Sequence, residues 1–105
     1  MYIQVVTFHL KDVSEQAYQA LCEDVAPAIA NAPGLISKVF LANNETNTYG
    51  GVYSWRDRAA MEAWKQSDIF RGLETNPKLV GVESREFGIL ERATEITRGL
   101  TAVTA

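Results

Sequence analysis

The sequence predicts an α+β domain of the ferredoxin-like kind, ordered β-α-β-β-α-β, with a four-stranded antiparallel sheet carrying two helices on one face. Three observations lead there. The chain has 105 residues, 47% of them hydrophobic and 22% charged, the make-up of one globular domain spanning 1–105. Four β-rich segments alternate with two helical patterns in the order this plan requires. The first strand carries apolar groups on both faces, so the sheet expects cover on both.

The segment from Tyr2 to Leu10 is rich in β-branched and aromatic residues and reads as a strand, with Val6, Phe8 and Leu10 on one face and Ile3 and Val5 on the other. Asp12 and Glu15 then match a capping box, with Ser14 a competing N-cap. Ala17, Leu21, Val25, Ala28, Ile29 and Ala32 recur at three and four residues, which predicts an amphipathic helix that Pro27 should kink or cut short. Pro33-Gly34 is the turn into a second strand, Leu35 to Leu41. A polar Asn/Thr turn leads to a third strand, Tyr49 to Trp55, so the two should form a hairpin. Asp57 is placed to cap a second helix bearing Ala60, Met61, Ala63 and Trp64, and a short helical stretch is expected from Asp68 to Leu73. Leu79 to Leu90 is the last strand, and the residues from about 92 to 105 form a C-terminal extension without an assigned element.

Composition excludes several function classes. Lys+Arg 10 against Asp+Glu 13 gives a net charge of −3, which disfavours a nucleic-acid partner. No apolar run approaches a membrane span, and the residues after Met1 do not form a basic n-region, so a cytoplasmic protein with no membrane partner is expected. One cysteine cannot close an internal disulfide, and one histidine cannot build a common zinc site. There is no glycine-rich dinucleotide turn and no P-loop, so a nucleotide enzyme is not indicated. A bare sheet face would expose an apolar patch, and the simplest cover is a second copy packed with two-fold symmetry.

Pro33-Gly34, Lys38, Gly50-Gly51, Tyr53, Trp55 and Asp57 keep a spacing that resembles the YdhR-type putative monooxygenase family of the dimeric α+β barrel superfamily. The likeness spans nearly the whole chain, including Phe87 and the tail from Thr94 to Gly99. The resemblance implies a homodimer with two sheets forming a central barrel and a pocket between sheet and helices in each subunit. It also implies oxidation of a small aromatic or polyketide-like substrate by dioxygen with no metal, flavin or other cofactor, as relatives do with anthrones. In such chemistry the protein takes a proton from a phenol or enol, stabilises the anion and keeps water away.

The residues offer several candidates for those roles. His9, the only histidine, has an intrinsic pKa of about 6.5 suited to general acid/base work, or it simply bonds a carbonyl at a strand end. An axial haem ligand is a third use for a lone histidine. Tyr49, Tyr53 and Trp55 share one face of the third strand, where they form either a pocket wall for a flat ligand or part of the core. Trp64 belongs to the buried face of the second helix and can offer its indole N–H at a pocket rim, with Phe70 and Leu73 as lid or core. Arg85, between Glu83 and Glu86, is an anion stabiliser if it faces the pocket and a surface ion-pair partner if it does not. Lys38 shares that ambiguity, and Cys22 reads as an inert thiol beside the apolar stripe. The function expected is cofactor-independent monooxygenation. A non-catalytic small-molecule-binding or stress-associated barrel and a cofactor-free isomerase or cyclase are the alternatives.

Overall fold

The computed structural model describes residues 1–100. Its elements are β1 (Tyr2–Leu10), α1 (Glu15–Ala30), β2 (Leu35–Asn43), β3 (Thr48–Trp55), α2 (Arg58–Lys65), α3 (Asp68–Thr75), β4 (Leu79–Phe87) and α4 (Glu91–Ile96). The four strands form one antiparallel sheet in the order β2-β3-β1-β4, the ferredoxin-like arrangement. The chain ends of the sequence reading shift by a few residues: β4 stops before Gly88, and α4 lies in the tail to which no element was assigned. Residues 101–105 of the expected extension lie outside the described residues. No helix among the described residues is long and apolar enough to cross a membrane.

Local chemistry fixes the boundaries. Ser14, not Asp12, is the N-cap of α1: its Oγ accepts from the Ala17 amide at 3.1 Å. Asp12 instead takes a left-handed conformation (φ 57°) in the turn before the helix, so the Asp12–Glu15 box does not form. Pro27 sits inside α1 without ending it, because it lies on the exposed side where water can satisfy the carbonyl its missing N–H leaves free. Asp57 caps α2 as its position predicted, accepting from the Ala60 amide at 2.9 Å. Ser67 does the same for α3 through the Phe70 amide at 3.2 Å.

The strand register sorts side chains between the two faces. On the helix-covered face, Lys38, Tyr53, Gln4 and Glu86 make one cross-strand row, and Phe40, Gly51, Val6 and Ser84 the next. Here lies the core of Val6, Phe8, Tyr53, Trp55, Met61, Trp64 and Phe70, with Trp55 and Met61 fully buried. Gln4 is buried among them and fully bonded: Trp55 Nε1 donates to its Oε1 at 3.1 Å, and its Nε2 donates to Ser84 Oγ at 3.0 Å. Ser84 Oγ in turn donates to Glu86 at 2.6 Å, and Glu86 pairs with Lys65 of α2 at 3.4 Å. This chain ties three strands and a helix together with every buried polar atom of Gln4 satisfied, the condition for such a group to stabilise a core.

The opposite face of the sheet carries Ile3, Val5, Val39, Leu41, Val52 and Phe87, with Val39 59% and Phe87 51% exposed. The two-faced apolar pattern read from β1 thus extends across the sheet. Gly50 (φ 148°) sits where a side chain would run into the carbonyl oxygen of Val6. Gly50→Ala is therefore expected to destabilise the fold by about 3 kcal/mol or more, the upper end for combined strain and clash, as a lowered urea midpoint. An unchanged midpoint would refute this register of β1 against β3.

Candidate active site

A cavity of about 290 Å³ lies between the sheet and the helices. Its floor is Phe8, Lys38, Phe40, Tyr53 and Leu79 from the four strands. Its roof is Tyr18, Leu21, Cys22, Val25 and Ile29 of α1, and it is closed at one end by Trp64, Ile69 and Leu73. Amphipathic spacing on α1 and the even-numbered face of β1 and β2 bring these residues together.

Lys38 is the polar feature of the floor. Its Nζ lies 3.8 Å from the centre of the Phe40 ring and 4.6 Å from that of Tyr53. No carboxylate among the described residues forms an ion pair with it, and cation–π attraction to the two rings offsets part of the loss of water. Burial pushes the amine from the usual 10.5 down to about 8, an effect that the neighbouring Cys22 opposes only in part. Gly51 makes the position possible, since a Cβ there would sit 2.6 Å from Lys38 Cε.

Around this amine stand proton donors. Tyr53 and Tyr18 have phenols held above their ordinary pKa, in both cases chiefly by burial, so they keep their protons. Tyr53 is stacked on Trp55 at 5.8 Å and touches the Trp64 ring at 5.7 Å, which fixes it in place. Trp64 Nε1 is buried and makes no hydrogen bond. Its indole pulls slightly down on the Tyr53 phenol without reaching bonding geometry. An orphaned buried N–H costs about 1–3 kcal/mol, which marks this donor as a candidate partner for an acceptor from elsewhere.

Of the residues singled out from sequence, Tyr53 and Trp64 line the cavity. Tyr49 and Trp55 are buried behind it: Tyr49 donates its hydroxyl to Glu15 at 2.6 Å, which raises its pKa, and Trp55 bonds Gln4. Phe70 is core, while Leu73 lies over the cavity end. His9 points from the other face of the sheet, exposed, with its Nδ1 2.8 Å from the Asn47 carbonyl. Arg85 is also on that face, in the row of Val5, Val52 and Val39, and pairs with Glu83 at 2.8 Å. The structure brings neither His9 nor Arg85 to the cavity, because strand parity turns both away from the helices. Lys38, ambiguous from sequence, and Cys22, expected to be inert, both line the cavity, as does Tyr18, which the sequence does not single out. The signal was there for Lys38, which shares its parity with Phe40 and lies opposite Tyr53.

The family model described as "Putative mono-oxygenase ydhR" matches residues 3–100. The chain belongs to the YdhR family. No curated protein sequence matches it significantly. Among solved structures, this YdhR-family chain is similar to a mutant of SnoaB, a cofactor-independent oxygenase from Streptomyces nogalater, with 18% identity, a TM-score of 0.68, and coverage of 85% of this chain and 92% of that one. It is similar to MhuD, a haem degrader from Mycobacterium tuberculosis with two haems in its active site (18% identity, TM-score 0.68, coverage 86% and 96%). An antibiotic biosynthesis monooxygenase also matches, at 12% identity, TM-score 0.69 and coverage 86% and 99%. These likenesses establish the ferredoxin-like α+β fold.

The buried amine has a thermodynamic signature. With a folded-state pKa of about 8 against 10.5, the unfolded chain binds the extra proton between those values. Stability therefore falls as pH drops from 10.5 through 8, and the full cost is present below 8. Lys38→Met should raise stability at pH 7 by about 1–3 kcal/mol and flatten the rise between pH 7 and 9.5, measured by urea titration at each pH. Equal pH slopes in the two proteins would show that Lys38 is solvated.

Proposed function

We propose that the chain is a monooxygenase that oxidises a small aromatic or enolisable substrate with dioxygen alone, in the cavity between sheet and helices. The observation that carries this is the Lys38 amine, in no ion pair among the described residues, on the floor of a cavity walled by apolar groups and phenols together with Asp68 and Asn76. A pKa of about 8 leaves a useful fraction of free amine at neutral pH, close to the optimum for a general base. Lys38 Nζ takes a proton from the activated carbon or hydroxyl of the substrate and becomes the counter-ion of the anion it has just made. Trp64 Nε1–H supplies the second donor to the developing oxyanion. The anion passes an electron to dioxygen, and the radical pair joins through a C–O bond. The protonated peroxide then loses water, so CH₂ and O₂ become C=O and H₂O. His9 and Arg85 have no part in these steps.

The haem chemistry of the MhuD relative does not fit this donor set. The chain's one imidazole lies on the far side of the sheet with a ring nitrogen engaged by Asn47, so no histidine faces the cavity. The likeness to SnoaB, a cofactor-independent oxygenase, supports the cofactor-free reading.

We also propose that the apolar outer sheet face is covered by a second copy of the chain, since Val39, Val52, Val5 and Phe87 form a continuous patch no helix shields. Sedimentation equilibrium at micromolar concentration should give about twice the 11.6 kDa chain mass. A stable monomer would contradict this arrangement.

For catalysis, oxygen consumption with an anthrone or a hydroquinone is the assay. Wild-type kcat/KM should rise with pH and level off above about 8, as the free amine forms. Lys38→Met should lower it by about 10²–10⁴-fold. Lys38→Arg should not rescue it, because guanidinium stays charged. Turnover that continues under nitrogen, or binding without turnover, would replace oxygenation with isomerisation or simple ligand storage.

A further inference from the structure

We propose that Lys38 is also a nucleophile that captures aldehydes and ketones as imines, making this cavity a covalent binding site for carbonyl compounds. The inference concerns the same cavity as the oxygenase reading but does not depend on any reaction with oxygen. Three observations carry it. Lys38 Nζ rests over two aromatic rings at 3.8 and 4.6 Å, and no carboxylate among the described residues pairs with it to hold it as an ammonium ion. Desolvation in an apolar pocket is one of the established ways to make a lysine amine nucleophilic. Trp64 also lines the cavity, and its Nε1–H, fully buried and without an acceptor, would need only a shift of the ring to meet a carbonyl oxygen. Tyr18 and Tyr53 line the cavity as phenols that retain their protons, so they can serve the proton transfers that dehydration requires.

The chemistry balances without a further reagent. The Nζ lone pair attacks the carbonyl carbon, and the C=O π electrons move to an oxygen that Trp64 holds. A proton passes from nitrogen to that oxygen. The carbinolamine then expels water as the nitrogen pair forms C=N, so one carbonyl and one amine give one imine and one water. The other three lysines are placed differently: Lys11 and Lys78 are exposed, and Lys65 is paired with Glu86 at 3.4 Å. The depressed pKa of Lys38 leaves more free amine at pH 7 than an ordinary lysine has, which supports selectivity.

Benzaldehyde is the probe, since it has no α-hydrogen and cannot enter the carbanion route to oxygenation. The protein is incubated with it under nitrogen at pH 7 with cyanoborohydride, which fixes any imine as a benzylamine, and labelled peptides are quantified by mass spectrometry. Lys38 should be labelled about tenfold or more faster than Lys11, Lys65 and Lys78, with the α-amino group as internal reference. Trp64→Phe, which keeps a ring and removes the N–H, should slow labelling of Lys38 by about tenfold while leaving the other lysines unchanged. Labelling of Lys38 no faster than that of the exposed lysines would overturn the proposal, whatever the outcome of the oxygen assay. Selective labelling that Trp64→Phe does not slow would overturn the role given to the indole.

Discussion

The amine of Lys38, set in a largely apolar cavity and in no ion pair among the described residues, is the constraint around which the rest of the site is arranged. An isolated charge in a low-dielectric interior shifts its pKa or finds a partner. Here it has two ring faces and a lowered pKa. Gly51 gives the lysine stem room to lie along the sheet, and Tyr53, opposite Lys38 in the register, gives it a ring to rest on. Tyr53 is itself pressed between Trp55 and Trp64. The aromatic run of β3 is thus scaffold for one amine more than it is a ligand platform.

That scaffold depends on the far end of the same cross-strand row. Lys38, Tyr53, Gln4 and Glu86 cross the sheet in order. Gln4 holds the Trp55 indole and Ser84, and Glu86 reaches Lys65 on α2, the helix that also carries Trp64. Polar satisfaction is complete at one end of the row, while near the other the Lys38 amine has only two ring faces and the Trp64 N–H has no hydrogen bond among the described residues. Unsatisfied groups in an otherwise well-bonded core mark the place where a ligand supplies what the protein withholds.

The fold was largely legible because its signals are local. β-branched runs, Pro33-Gly34 and the Asp57 cap each act within a few residues and fall where the sequence placed them. The outer face was legible too, from the apolar parity of Ile3 and Val5. The site was less so. Whether His9 or Arg85 meets the cavity depends on strand parity combined with which face the helices cover, a long-range fact that composition does not carry. Imidazole drew attention by its chemistry, whereas a lysine in a strand usually means solvent. Register alone shows that Lys38 shares its face with Phe40 and Tyr53. Asp12 does not cap the helix because Ser14, directly before its first residue, accepts from the Ala17 amide while Asp12 lies in a left-handed turn.

The account turns on the state of one amine. Carbon-13 NMR of the lysine Cε positions, titrated from pH 6 to pH 11, reads it directly. One resonance should titrate near pH 8 and disappear in Lys38→Met. The lack of any resonance titrating near pH 8 would show a solvated Lys38 and remove the base from the cavity.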